Sequence, residues 1–251
     1  MTERQAVLFD ALKPQSELIL GELTPYIRVE RKKRAKRLAL RLDSKDRIVR
    51  FVIPQNVSTR KAQEFLDLNG EWVLNRLDEL PKAVPYQNGT ILPILGQDIR
   101  VRISLDKTLK RTSIALKNNE LIVLTNKDDP SSRINRYLKN LAKTHISEHA
   151  NIKAETIHKT IHSVQIRDTK SRWGSCSHDG KLSFSWRLIF APPASCDYVI
   201  AHEVAHLVHM DHSRNFWKQC EALCENYKAG KAWMRTNGHT LMRYGMHDKV
   251  L

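Results

Sequence analysis

Four histidines fall within eleven residues of the segment YVIAHEVAHLVHMDHS, which runs from Tyr198 to Ser213. The first two, His202 and His206, enclose Glu203 in an HExxH pattern. On a helix, residues i and i+4 share one face and sit about 6 Å apart along the axis. Two imidazoles so placed can converge on one ion, with zinc–nitrogen distances of about 2.0–2.1 Å. Glu203 lies about 100° around the helix, so it is beside such an ion rather than facing it. A carboxylate in that position can take a proton from a metal-bound water. The surrounding residues are Tyr198, Val199, Ile200, Ala201, Val204, Ala205, Leu207 and Val208. A helix apolar nearly all round is buried. Two histidines and a glutamate inside it are unfavourable unless something satisfies them, and a bound metal does so.

Spacing alone is weak support, because His145/His149 and His158/His162 repeat the i,i+4 interval without a following glutamate. Catalytic zinc commonly has three protein ligands and one open position. His209 is close to the same helical face but about 10 Å further along the axis than His202, which suits a supporting or surface role. His212 reaches the ion if the helix ends near Met210-Asp211 and the chain turns back. Asp and His accept the left-handed backbone of such a turn better than most residues. Glu221 and Glu225 compete for the third position, since some zincins draw a glutamate from the next helix. His212 is the preferred candidate.

The rest of the chain must position this helix. Two strand-like runs between Tyr26 and Pro54 are separated by DSKDR, and a helix is expected from Ser58 to Leu80. ILPILGQDIRVRI and SIALKNNELIVLT read as strands, with Asn118-Asn119 as a hairpin turn. A long helix follows from about Pro130 to His158. Asp179-Gly180 then marks a tight turn between alternating segments, and Pro192 and Pro193 end the second of these. The histidine helix begins near Ser195, and another is expected from Ser213 to Lys228. Hairpins with segregated helices predict an α+β fold. The reading divides the chain into a lead-in over 1–25, a β-rich part over 26–125, and a catalytic part over 126–251.

The chain has 251 residues, a net charge of +15 and a pI near 9.8. Such a balance invites polyanions. The densest run is RVERKKRAKR, Arg28 to Arg37, continuing into the alternating LALRL. It reads first as the wet face of an exposed hairpin and second as a nucleic-acid or nucleoprotein patch. No aromatics are interleaved to stack on bases. No apolar run is long enough for a bilayer span or a secretory signal, so no membrane partner and a cytoplasmic location are expected. The four cysteines form no CxxC pair, and a disulfide framework is not expected.

SRWGSCS, FSWRLIFAPP and YVIAHEVAHLVHMDHSRNFW together resemble the YgjP-like metallopeptidase family, relatives of the WLM and SprT-like zinc proteases. RVERKKRAKRLALRLD and VRFVIP resemble that family's N-terminal strands, so the likeness spans about Tyr26 to Gly238. It implies a zincin-like core in which zinc is held by His202, His206 and His212, with Glu203 as base. The implied activity is cleavage of peptide bonds by Glu-assisted attack of zinc-bound water on a peptide or protein substrate. Related metalloproteases with an HExxHxxGxxH pattern have glycine where this chain has His209. Tyr198 and Arg172 are the candidates for a second electrophile. The SRWGSCSHDGKLSFSW segment predicts a hairpin beside the helix, with an edge that can pair with an extended peptide. Gly174 permits close backbone approach there. Trp173 reads as a core anchor, and Phe216 and Trp217 as packing between helices. The competing readings are a zinc-stabilised binding module with little turnover, and a hydrolase of a non-peptide substrate.

Overall fold

A computed structural model describes residues 18–44, 46–169 and 172–246. Most of the expected lead-in lies outside these residues. The chain divides between Pro81 and Lys82 into two compact units.

The first unit holds β1 (Ile27–Lys32), β2 (Ala39–Asp43), β3 (Ile48–Pro54) and α1 (Thr59–Asp78). Its sheet has the order β1-β3-β2, with β1 parallel and β2 antiparallel to the central β3. Ile27, Val49, Phe51 and Ile53 form a core with Ala62, Leu66 and Val73 of α1. The Ser58 side chain caps α1 by accepting from Lys61 N–H, as Ser58 predicts. Three strands stand where the sequence reads as two runs. The basic stretch breaks after Lys32, where Ala35 N–H bonds the Lys32 carbonyl and closes a turn.

The second unit opens with β4 (Ile91–Ile94), β5 (Gln97–Leu105), β6 (Ser113–Lys117) and β7 (Glu120–Thr125), ordered β4-β5-β7-β6. Asn118 and Asn119 both have positive φ, 51° and 56°, and make the predicted hairpin turn. Next comes α2 (Ser131–Thr156), whose Ile134, Leu138, Ala142, Ile146, Ala150 and Ala154 recur every four residues and are fully or nearly fully buried. A small sheet follows: β8 (Ser163–Arg167), β9 (Gly174–Cys176) and β10 (Lys181–Ser185), ordered β8-β10-β9. The turn between β9 and β10 is at Asp179-Gly180, with Gly180 at φ 72°. From β10 a tight turn, Trp186–Phe190, leads into α3 (Pro193–Ala205). Pro193 sits at the helix start, where its missing N–H loses nothing.

The single helix expected over Ser213–Lys228 is two: α4 (Arg214–Ala222) and α5 (Tyr227–Asn237). Lys153 of α2 meets the chain at this break: its ammonium donates to the Leu223 carbonyl and pairs with Asp197 of α3 at 2.8 Å. Among the described residues, no helix is long and apolar enough to cross a membrane. All four cysteines are free, and Cys196, Cys220 and Cys224 are buried.

Sequence patterning gives no sign of Arg187, which is only 2% exposed. It pairs with Asp168 at 3.2 Å and donates to the Tyr244 carbonyl at 2.8 Å, with the Leu241 and Met242 carbonyls at 3.5 Å. One guanidinium thus ties the strand end, the turn before α3 and the C-terminal segment together. Arg187→Leu is expected to destabilise the protein by about 3 kcal/mol, lowering Tm by roughly 10 °C in a calorimetric scan. A Tm within one degree of the parent would show that this clamp is dispensable.

Candidate active site

The histidine helix ends earlier than the sequence suggests. It stops at Ala205, with His206 as its C-cap, rather than near Met210-Asp211. Leu207 N–H and Val208 N–H bond the carbonyls three residues back, tightening the last turn. The His206 ring then takes the His209 carbonyl at 2.9 Å. Asp211 accepts from Ser213 N–H, and Ser213 caps α4 by accepting from Phe216 N–H. These local bonds return the chain without any left-handed residue between 206 and 213. The turn therefore needs no glycine at position 209.

The return brings three imidazoles together. One ring nitrogen each from His202, His206 and His212 lies within 4.8 Å of the other two. His202 Nε2 and His212 Nε2 are 3.2 Å apart. Two ligands of a tetrahedral zinc are about 3.3–3.4 Å apart if each bond is about 2.0–2.1 Å. Neither Glu221 nor Glu225 belongs to this cluster.

Protonation favours lone pairs pointing inward. A carbonyl can only accept, so His206 Nδ1 is the donor to His209 and Nε2 keeps its lone pair. Burial pushes the His202 imidazole down to about 4, with the neighbouring His206, His212 and Lys231 charges acting the same way. Burial also lowers His206, against the opposing effect of its bond to the His209 carbonyl. His202 Nδ1 is buried with no hydrogen-bond partner. That ring is held by packing: Phe216 at 4.9 Å, Trp217 at 5.6 Å and Tyr198 at 5.9 Å between centroids. Phe216 is fully buried and also touches the His206 and His212 rings, at 4.5 and 4.7 Å. Three imidazoles around one aromatic, each with a ring nitrogen within 4.8 Å of the others, fit a divalent metal ion.

Glu203 is buried on the neighbouring face of α3, at 6% exposure. Desolvation pushes its carboxyl up to about 8, with Arg172 opposing. The carboxyl lies against the backbone of β9. A Cβ added at Gly174 would sit 2.5 Å from Glu203 Cγ and Oε1, so only glycine leaves room for it there. Arg172, just before β9, is exposed. Tyr198 is half-buried, and burial raises its hydroxyl well above the ordinary tyrosine range. Trp173 packs on Gly238 and the core, as a core anchor should.

The sequence reading misses α5 and what it carries to the site. The Lys231 ammonium lies 3.7 Å from the Trp217 ring centroid and 2.8 Å from the Tyr227 hydroxyl. Gly230, an unusual residue inside a helix, was the available signal for close packing. A side chain there would collide with the Ala194 carbonyl and Tyr198 Cβ of α3. The other histidine pairs do not join the centre. His145 and His149 lie one turn apart on α2, their ring centroids 4.2 Å apart and tilted, and line a separate 270 Å³ cavity with Asp197 and Glu225. His158 ends α2 in a left-handed conformation, outside the helix.

The family model for the YgjP-like metallopeptidase domain matches residues 36–237. The chain belongs to this family. It is a metal-dependent protease. Among solved structures, the metallopeptidase zymogen abylysin of Pyrococcus abyssi is 20% identical, with a TM-score of 0.33. That match covers 37% of this chain and 95% of abylysin. No curated protein matches. The matched family segment contains both the return loop and the β9 contact on Glu203.

Gly174→Ala is expected to push the Glu203 carboxyl off its position while leaving the three histidines in place. If Glu203 acts in catalysis, a misplacement of about 1 Å reduces turnover about a hundredfold. Peptidase rates measured beside metal content test it, and parental turnover in the alanine variant would contradict the packing argument.

Proposed function

We propose that the protein is a zinc metallopeptidase in which His202, His206 and His212 hold the ion and Glu203 is the general base. The observation that carries this reading is the meeting of three imidazole nitrogens within 4.8 Å, beside a buried carboxyl group. A bound zinc supplies Lewis acidity and lowers the pKa of a coordinated water to about 7. The chain's own groups do the rest. Glu203 accepts the proton of the attacking water and passes it to the leaving amine. Its raised proton affinity suits a group that must hold a proton between those two steps. Arg172 is the better placed candidate for stabilising the oxyanion, being exposed and close enough to act on Glu203. The Tyr198 ring instead packs between His202 and Tyr227.

Substrate docking follows from the sheet. β9 is an edge strand, and a groove of about 630 Å³ runs along Arg172, Trp173, Gly174, Ser175 and Cys176. An extended peptide can pair with such an edge through its main chain. Four free cysteines fit a reducing compartment such as the cytoplasm. The central test is Glu203→Gln. It should keep about one zinc per chain and lose at least about 100-fold in peptide hydrolysis. Undiminished hydrolysis would remove Glu203 as the base.

A second surface has its own supporting observation. Lys33, Arg34, Lys36 and Arg37 follow β1 in an exposed turn, and none of them has an ion-pair partner among the described residues. Arg28 and Arg41 flank Arg50 across the sheet. We propose that this face docks a nucleic acid or nucleoprotein through phosphate contacts. Neutralising Lys32, Lys33, Lys36 and Arg37 together should abolish duplex binding and flatten its salt dependence. Binding that is absent in the parent, or indifferent to salt, would exclude it.

A further inference from the structure

We propose that Lys231 is a specificity-determining residue: with Tyr227 and Trp217 it forms an anion subsite beside the metal centre, which receives a carboxylate of the bound peptide.

The position of Lys231 is fixed by packing. At Gly230, α5 presses on α3 so closely that no side chain fits between them. The next residue is therefore held at a set distance from the histidine helix. Its ammonium lies over Trp217, 3.7 Å from the ring centroid, and meets the Tyr227 hydroxyl at 2.8 Å. The same Trp217 ring touches His202 and His212, at 5.6 and 5.5 Å between centroids. One indole thus separates a fixed cation from two of the proposed metal ligands.

This cation lacks what comparable ones have. Lys153, Lys181 and Arg187 in the same unit each pair with an aspartate. Lys231 is half-buried, yet among the described residues no carboxylate lies within salt-bridge reach of it. An ammonium has three donors, and one is used on Tyr227. The aromatic faces attract the charge but give no acceptor for the remaining two N–H groups. A carboxylate reaching this half-buried ammonium would find two N–H donors without an acceptor from the surrounding side chains, and would form a charge-assisted bond with it. The carboxylate can come from an acidic side chain or from the peptide's C-terminus.

The inference rests on the peptide-cleaving reading, and the test separates the two. Zinc-loaded full-length Glu203→Gln protein is titrated with fluorescent peptides by anisotropy. The peptides share one neutral sequence in which Gln is replaced by Glu one position at a time, and each ends in either a free acid or an amide. Expected is a position, or a free terminus, at which the carboxylate tightens binding about tenfold. That ratio should fall to about one on adding Lys231→Gln, and persist with Lys231→Arg. Lys110→Gln, which removes the same charge from an exposed turn elsewhere, should leave it unchanged. No carboxylate preference in the first protein, or a preference that survives Lys231→Gln, overturns the subsite. Thermal denaturation of each variant reports folding, and the arginine variant keeps the test informative if glutamine does not fold. Failure of the parent to hydrolyse any of these peptides counts against the peptidase reading instead.

Discussion

Three imidazoles meet around one aromatic ring, and apolar packing lowers the proton affinity of two of them, His202 and His206. Phe216 is the centre of that arrangement. It is fully buried, and all three histidine rings rest on it within 5 Å. A protonated His202 would meet two other imidazoles across a few ångströms in poorly solvating surroundings. The same burial that lowers His202 and His206 raises the Glu203 carboxyl. One environment thus favours the uncharged form of both these histidines and the carboxyl. The enzyme's chemistry depends on this patch being dry on the helix side and open on the other.

The return of the chain after α3 is the second requirement, and it follows from short-range chemistry. His206 works twice, as a proposed ligand through Nε2 and as a turn former through Nδ1. Its bond to the His209 carbonyl helps to end the helix and orients its own ring. Asp211 and Ser213 then start α4 so that Phe216 faces back toward α3. Gly174 and Gly230 bring β9 and α5 to the closest approach a backbone permits. The active site is therefore gripped from two sides by glycine contacts, with Glu203 under one and Lys231 beside the other.

Much of this is legible in the residues. The HExxH helix, the Ser58 cap, the Asn118-Asn119 and Asp179-Gly180 turns and the α+β class follow from spacing and turn chemistry, which act within a few residues. What stayed hidden depends on particular contacts, near or distant, that periodicity does not encode. The early end of α3 comes from a ring-to-carbonyl bond that no periodicity encodes. The break between α4 and α5 is met by Lys153, seventy residues away, through the Leu223 carbonyl. Arg187 looks like a surface charge until Asp168 and the C-terminal carbonyls surround it. The third basic-strand break, after Lys32, likewise depends on a local turn rather than on pattern.

X-ray absorption at the zinc edge, on protein purified and loaded with one equivalent of zinc, tests the central claim most directly. The account predicts three imidazole nitrogens at about 2.0–2.1 Å, falling to two in His212→Ala. Two or fewer imidazoles in the parent, a sulfur ligand, or a spectrum that the His212 substitution leaves unchanged would contradict it.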